Sequence, residues 1–86
     1  MTIEGALIRE QGVDFAVVIV QRQVLASSTT AEDAIRAFAP VFGGVPVVLM
    51  AQDGRGRPTY YGREDIARFM ARVLLRAVRW KRFAIN

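Results

Sequence analysis

The chain alternates between stretches of strand-like and helix-like hydrophobic pattern. Residues 13–21 (VDFAVVIVQ) form the strongest strand pattern. Phe15, Val17 and Ile19 fall on one side, and Ala16, Val18 and Val20 on the other. A strand that is apolar on both sides predicts a central position, covered above and below. Residues 45–51 (VPVVLMA) repeat that pattern, with Pro46 at the start, where a missing N–H costs least. Residues 2–10 (TIEGALIRE) predict a weaker first strand, interrupted by Gly5 and joined to the next through Gln11-Gly12. Residues 58–61 (PTYY) predict a short strand that forms a hairpin with 45–51 across a glycine-rich turn.

Two segments carry a helical period. Thr29-x-x-Glu32 matches a capping box and opens a helix over 30–39. Its apolar stripe is Ile35, Phe38, Ala39 and Phe42. Pro40 ends or kinks it, and Gly43-Gly44 releases the chain. A second helix is expected over 63–77, with Glu64 and Asp65 in its first turn, where the helix dipole favours negative charge. Ile66, Phe69, Met70, Val73, Leu74 and Ala77 form its stripe. Residues 79–85 (RWKRFAI) read either as a last strand or as a continuation of that helix through Trp80.

The expected order is therefore β-β-α-β-β-α-β within a single α/β domain spanning 1–86. Without its first strand this is βαββαβ, the order of a ferredoxin-like arrangement. The expectation is an α+β two-layer sandwich, with both helices on one sheet face and an extra N-terminal strand. The doubly apolar strands then require something to cover the open face, and dimerisation would supply it.

The segment Val45-Pro46, a glycine turn, a short strand, Gly62 and a closing helix also resembles the closing half of a thioredoxin-like domain. That resemblance spans residues 45–74. It implies a cis proline ahead of the buried strand and, as the alternative fold, a truncated thioredoxin-like α/β unit. The redox cysteine pair of that family is absent, which excludes thiol–disulfide activity.

Composition narrows the chemistry. The 86 residues include no cysteine and no histidine. Disulfides, thiolate nucleophiles and Cys or His metal sites are therefore excluded, and so is the commonest general base. No cofactor or metal is expected, and the balance leans away from an enzyme. Hydrophobic residues make up 52% of the chain, a high share for a small surface-rich domain. The opening MTIEGALIRE lacks a basic start followed by an apolar core, and the longest apolar run is too short to span a bilayer. A cytoplasmic protein without a membrane span is expected.

The net charge of +4 is unevenly placed. Residues 1–54 carry three arginines and six acids, net −3, whereas residues 55–86 carry nine basic residues and two acids, net +7. On one continuous helix, Arg68, Arg72, Arg76 and Arg79 would fall within an arc of about 80°, opposite the apolar stripe. Arg55, Arg57, Arg63, Lys81 and Arg82 would extend that patch. This points to an anion-binding face for nucleic acid, an acidic protein or a membrane surface. Outside the apolar stripes only Tyr60, Tyr61 and Trp80 are candidates for base stacking, and no helix-turn-helix, RNP-like or zinc-finger pattern is present, so weak, sequence-blind and salt-sensitive binding is expected.

Other candidates are local. The turn from Asp53 to Arg63 gathers Asp53, Arg57, Tyr61 and Arg63 and is a candidate small-molecule pocket. It is neither a P-loop nor a dinucleotide fingerprint. Gln21-Arg22-Gln23 stands at the end of a central strand, where α/β sheets hold ligands. The acid pairs Glu32-Asp33 and Glu64-Asp65 are accounted for by their places in helix first turns. The leading expectation is a small non-catalytic protein-interaction module that forms a homodimer. The alternatives are anion binding through the arginine face and a small-molecule site at the turn.

Overall fold

The computed structural model describes residues 1–85. Five strands, β1 (Thr2–Glu10), β2 (Val13–Ile19), β3 (Val47–Gln52), β4 (Pro58–Tyr61) and β5 (Lys81–Ala84), form one sheet. Two helices, α1 (Ser28–Phe38) and α2 (Glu64–Met70), follow β2 and β4. Across the sheet the order is β4-β3-β2-β1-β5. The chain is thus a mixed α+β fold with a five-stranded sheet and two helices.

The sheet order departs from the ferredoxin-like arrangement. There, the two βαβ halves interleave into a wholly antiparallel sheet. Here β3 lies directly beside β2 and parallel to it, with α1 as the crossover that parallel strands require. The other neighbours, β1–β2, β3–β4 and β1–β5, are antiparallel. The helices also lie on opposite faces rather than together. Ala16, Val18, Val47 and Leu49 point to one face and pack with Ala31, Phe38 and Phe42 of the α1 region. Phe15, Val17, Val48 and Met50 point to the other and pack with Ile66 and Met70 of α2. The physical reason is the double apolarity of β2 and β3: each face needs its own cover, and one helix goes to each. The expected covering of an open face by a second copy is thus not required over these two strands.

Local chemistry sets the element ends. Gln11 and Gly12 both adopt positive φ, +51° and +78°, as a two-residue hairpin turn demands. Helix α1 starts two residues before the expected position. Its N-cap is Ser27, whose Oγ accepts from the Thr30 backbone N–H at 3.2 Å, rather than Thr29. After Phe38 the chain tightens into a 3-10 turn through Pro40 and leaves it at Gly43, φ +71°. That turn places Phe42 on Gly5: a Cβ there would sit 3.3 Å from the Phe42 ring and 2.8 Å from the Val17 carbonyl oxygen. Gly5 thus admits the aromatic ring that closes the α1 face, where Phe42 also meets Phe83 edge-on at 4.8 Å between centroids.

The second helix is shorter than its sequence suggested, ending at Met70 instead of 77. Val73, Leu75, Val78 and Trp80 all pack on the α2-side core. Their spacings of two, three and two residues do not fit a 3.6-residue period, so the chain leaves the helix to bury them. It crosses that face as an irregular strap, 71–80, with a short 3-10 turn at Leu75–Ala77. The strap is pinned where Trp80 Nε1 donates to the Leu75 carbonyl at 3.2 Å. It then enters β5, so the C-terminal segment is a strand. Among the described residues every peptide bond is trans, and Val45–Pro46 lacks the cis proline implied by the thioredoxin-like resemblance.

Candidate functional site

The expected arginine stripe does not lie on one helix. Arg68 is on α2, where Glu64 accepts from its Nη2 at 2.9 Å. Arg72 lies in the turn after the helix, Arg76 in the 3-10 turn, and Arg79 just before β5. The shared helical arc is therefore lost, and the basic residues sit instead along the strap. All three strap arginines are exposed.

The basic residues divide sharply by pairing. Arg9, Arg36, Arg57, Arg63 and Arg68 each contact a carboxylate: Asp14, Asp33, Asp53, Asp65 and Glu64. The last acidic residue in the sequence is Asp65. Beyond Arg68, none of Arg72, Arg76, Arg79, Lys81 and Arg82 has an acidic partner among the described residues. Arg82 stands opposite Glu4 across β1 and β5, without an ion pair. Arg22 and Arg55 also have no ion pair among the described residues.

The turn at 53–63 is occupied with itself. Asp53 accepts from the backbone N–H groups of Arg55 and Arg57 at 2.8 and 2.9 Å and from Arg57 Nε at 3.0 Å. Those backbone donors hold its carboxyl below the usual range. Arg63 grips Asp65 with two nitrogens at 2.8 and 2.7 Å, which brings the Asp65 pKa down to about 2 and raises that of Arg63. Tyr61 lies on the α1 face, where the neighbouring Glu32 carboxylate raises its pKa. Tyr60 lies on the α2 face, and burial raises its pKa. Asp53 and Arg57 thus hold each other, whereas Tyr61 and Arg63 face different partners.

Larger concave regions lie elsewhere among the described residues. An open cavity of about 690 Å³ occupies the end of the sheet, between the start of β1 and the end of β2. Its wall includes Ile3, Val24 and Phe38, with Glu4, Gln21 and Arg82 as polar groups. Of Gln21-Arg22-Gln23, only Gln21 reaches it. Among the described residues no group of three Asp or Glu is placed to hold a metal ion, and no helix is long and apolar enough to cross a membrane.

The second region follows from strand lengths. Strand β1 pairs with β2 over Glu4–Glu10, but with β5 only over Thr2–Gly5. The outer side of residues 6–10 therefore has no strand beside it. A groove of about 340 Å³ runs along this open edge, floored by Phe69, Val73 and Val78 and bordered by Arg79. Leu7, in the middle of the open stretch, is 59% exposed although it belongs to a strand. Sequence reasoning placed β1 correctly but had no means of seeing this edge, because the shortness of β5 is set by where the strap ends.

No family model matches the chain, and neither a curated protein nor a solved structure matches it. The functional reading rests on the geometry above.

Proposed function

We propose that this protein is a small, non-catalytic interaction module that forms a homodimer by extending its sheet across the open edge of β1. The observation that carries the reading is the five-residue stretch 6–10, paired on its β2 side and open on the other. A strand edge offers a row of backbone donors and acceptors to another chain. No proline interrupts this one, its apolar residues are Ala6, Leu7 and Ile8, and its charged end, Arg9-Glu10, is of mixed sign. A second copy is a suitable occupant because antiparallel pairing about a two-fold axis matches the stretch with itself. Centring that pairing on Ile8 uses all five free residues of each copy. Leu7 then lies against the aliphatic stem of Arg9 from the second copy, which shelters its exposed surface.

Light scattering behind a sizing column, at low and high salt with nucleic acid removed, tests this. The expected mass is twice the chain's 9.6 kDa. Leu7→Lys, which sets a charge against Arg9 across the seam, is expected to return the mass to that of one chain with an unchanged far-UV spectrum. A monomer at every protein concentration overturns the reading.

A further inference from the structure

We propose that the strap is the docking surface for the phosphate backbone of double-stranded nucleic acid, and that the homodimer doubles it. The dimer part rests on the reading above. The surface itself rests on independent observations.

The first observation is the segregation of pairing. The five arginines up to Arg68 that touch a carboxylate are neutralised locally, whereas Arg72, Arg76 and Arg79 face solvent with no acid following Asp65 in the sequence. A face that served only solubility would carry both signs. The second is the backbone beneath. The half-buried Val73, Leu75, Val78 and Trp80 anchor the strap between its arginines, so the charges stand on a fixed base. The third is the chemistry of the donors. Guanidinium groups match phosphate oxygens with paired N–H donors, which favours phosphodiesters over scattered carboxylates. The fourth concerns the aromatic groups. Trp80 is half-buried with its indole N–H committed to Leu75, and Tyr60 packs into the α2-side core. Neither is presented for stacking on unpaired bases, so the expected ligand is a duplex read by its backbone.

The geometry of the edge supplies the doubling. Antiparallel pairing of β1 with its copy keeps the same sheet face on the same side in both chains. Both straps then lie on one surface. Arg79 borders the edge groove, which Glu10 also lines, so it approaches the seam in each copy. Six strap arginines, three from each chain, form one array.

The test is fluorescence anisotropy with a short duplex DNA of mixed sequence over a salt series, with solution mass measured in parallel. The expected result is affinity that is indifferent to sequence. Log K should fall with log salt with a slope of roughly −5, if about six phosphates are neutralised. The triple variant Arg72→Glu, Arg76→Glu, Arg79→Glu is expected to lose at least tenfold in affinity while remaining folded and dimeric. Monomeric Leu7→Lys is expected to keep roughly half the slope, although that substitution itself adds a cation. Duplex binding that ignores the triple variant overturns the proposal, as does tight binding of polyglutamate with none of the duplex. Full slope in monomeric Leu7→Lys overturns the doubling. A parent chain that is monomeric yet loses affinity in the triple variant keeps the surface and discards the dimer.

Discussion

The α1 face and the α2 face bury the same two central strands by different means. On the α1 face an eleven-residue helix, N-capped by Ser27, lays Ala31 and Phe38 on the sheet, and Phe42 fills the space left by Gly5. On the α2 face the helix has seven residues and no side-chain N-cap, and an irregular strap completes the cover. A regular helix satisfies its own backbone wherever it lies. The strap depends on individual anchors, chiefly Trp80. The difference teaches where the molecule keeps its adaptable surface: each helix carries a carboxylate-paired arginine, Arg36 on α1 and Arg68 on α2, whereas Arg72, Arg76 and Arg79 of the strap have no acidic partner among the described residues.

The largest expected effect falls on the regular side. Phe42 is 5% exposed and touches both Gly5 and Phe83. Phe42→Ala is expected to destabilise the fold by about 3–5 kcal/mol, since it removes a buried ring and leaves a cavity above Gly5. Chemical denaturation measures this, and a loss under about 1 kcal/mol would show that the α1 face is not closed by this ring. The strap should respond less. Trp80→Ala removes a half-buried ring and one hydrogen bond to a carbonyl, with an expected cost of roughly 1–3 kcal/mol. Hydrogen exchange should quicken at 72–80 and stay slow in α1. Equal acceleration on both faces would mean that the two covers form one cooperative unit.

The same contrast explains what could be read from the residues alone. β2 and β3 were legible because both of their faces are apolar, β1 and β4 were placed by their pattern, and β5 stood as one of two readings of 79–85. Helix α1 was legible by its period, although its start was misplaced because Ser27, Ser28, Thr29 and Thr30 are all capping residues. The end of α2 was not legible. No glycine or proline follows Gly62, and Val73-Leu74-Leu75 continues an apolar pattern that a helix could also accept. Burial against Phe15, Val17 and Met50 decided it, and that is a tertiary effect. The arrangement of helices on two faces was missed for a related reason. Element order alone does not fix strand order, and the double apolarity of β2 and β3 was read as a demand for a dimer rather than for a helix on each side. Among candidate site residues, the basic positions were visible in sequence. Which of them would be neutralised was not, since the pairs Arg9–Asp14, Arg57–Asp53 and Arg63–Asp65 form through turns and a hairpin rather than along a helix.

The smallest expected effect sharpens the distinction between paired and unpaired arginines. Asp65 has its pKa lowered from 3.8 to about 2, chiefly by the hydrogen bonds from Arg63. A carboxylate with a lower pKa in the folded chain than in the unfolded one stabilises the fold at pH values above about 4. That contribution fades as the pH falls from about 4 toward 2, because the folded protein must then take up a proton against the Arg63 charge. Both side chains are more than half exposed, so water and salt screen the pair and its weight is small. The backbone-held Asp53 titrates in the same direction, so acid unfolding of the parent alone does not separate the two. Comparison with Asp65→Asn does. Denaturant midpoints at pH 6 and near pH 3 are expected to fall less steeply in the variant than in the parent, with the gap narrowing in high salt. A variant whose acid limb matches the parent at low salt would mean that Arg63 is as free as the strap arginines. The surface open to a polyanion would then reach from the strap to the start of α2, and Arg63→Glu would become the next charge reversal to make.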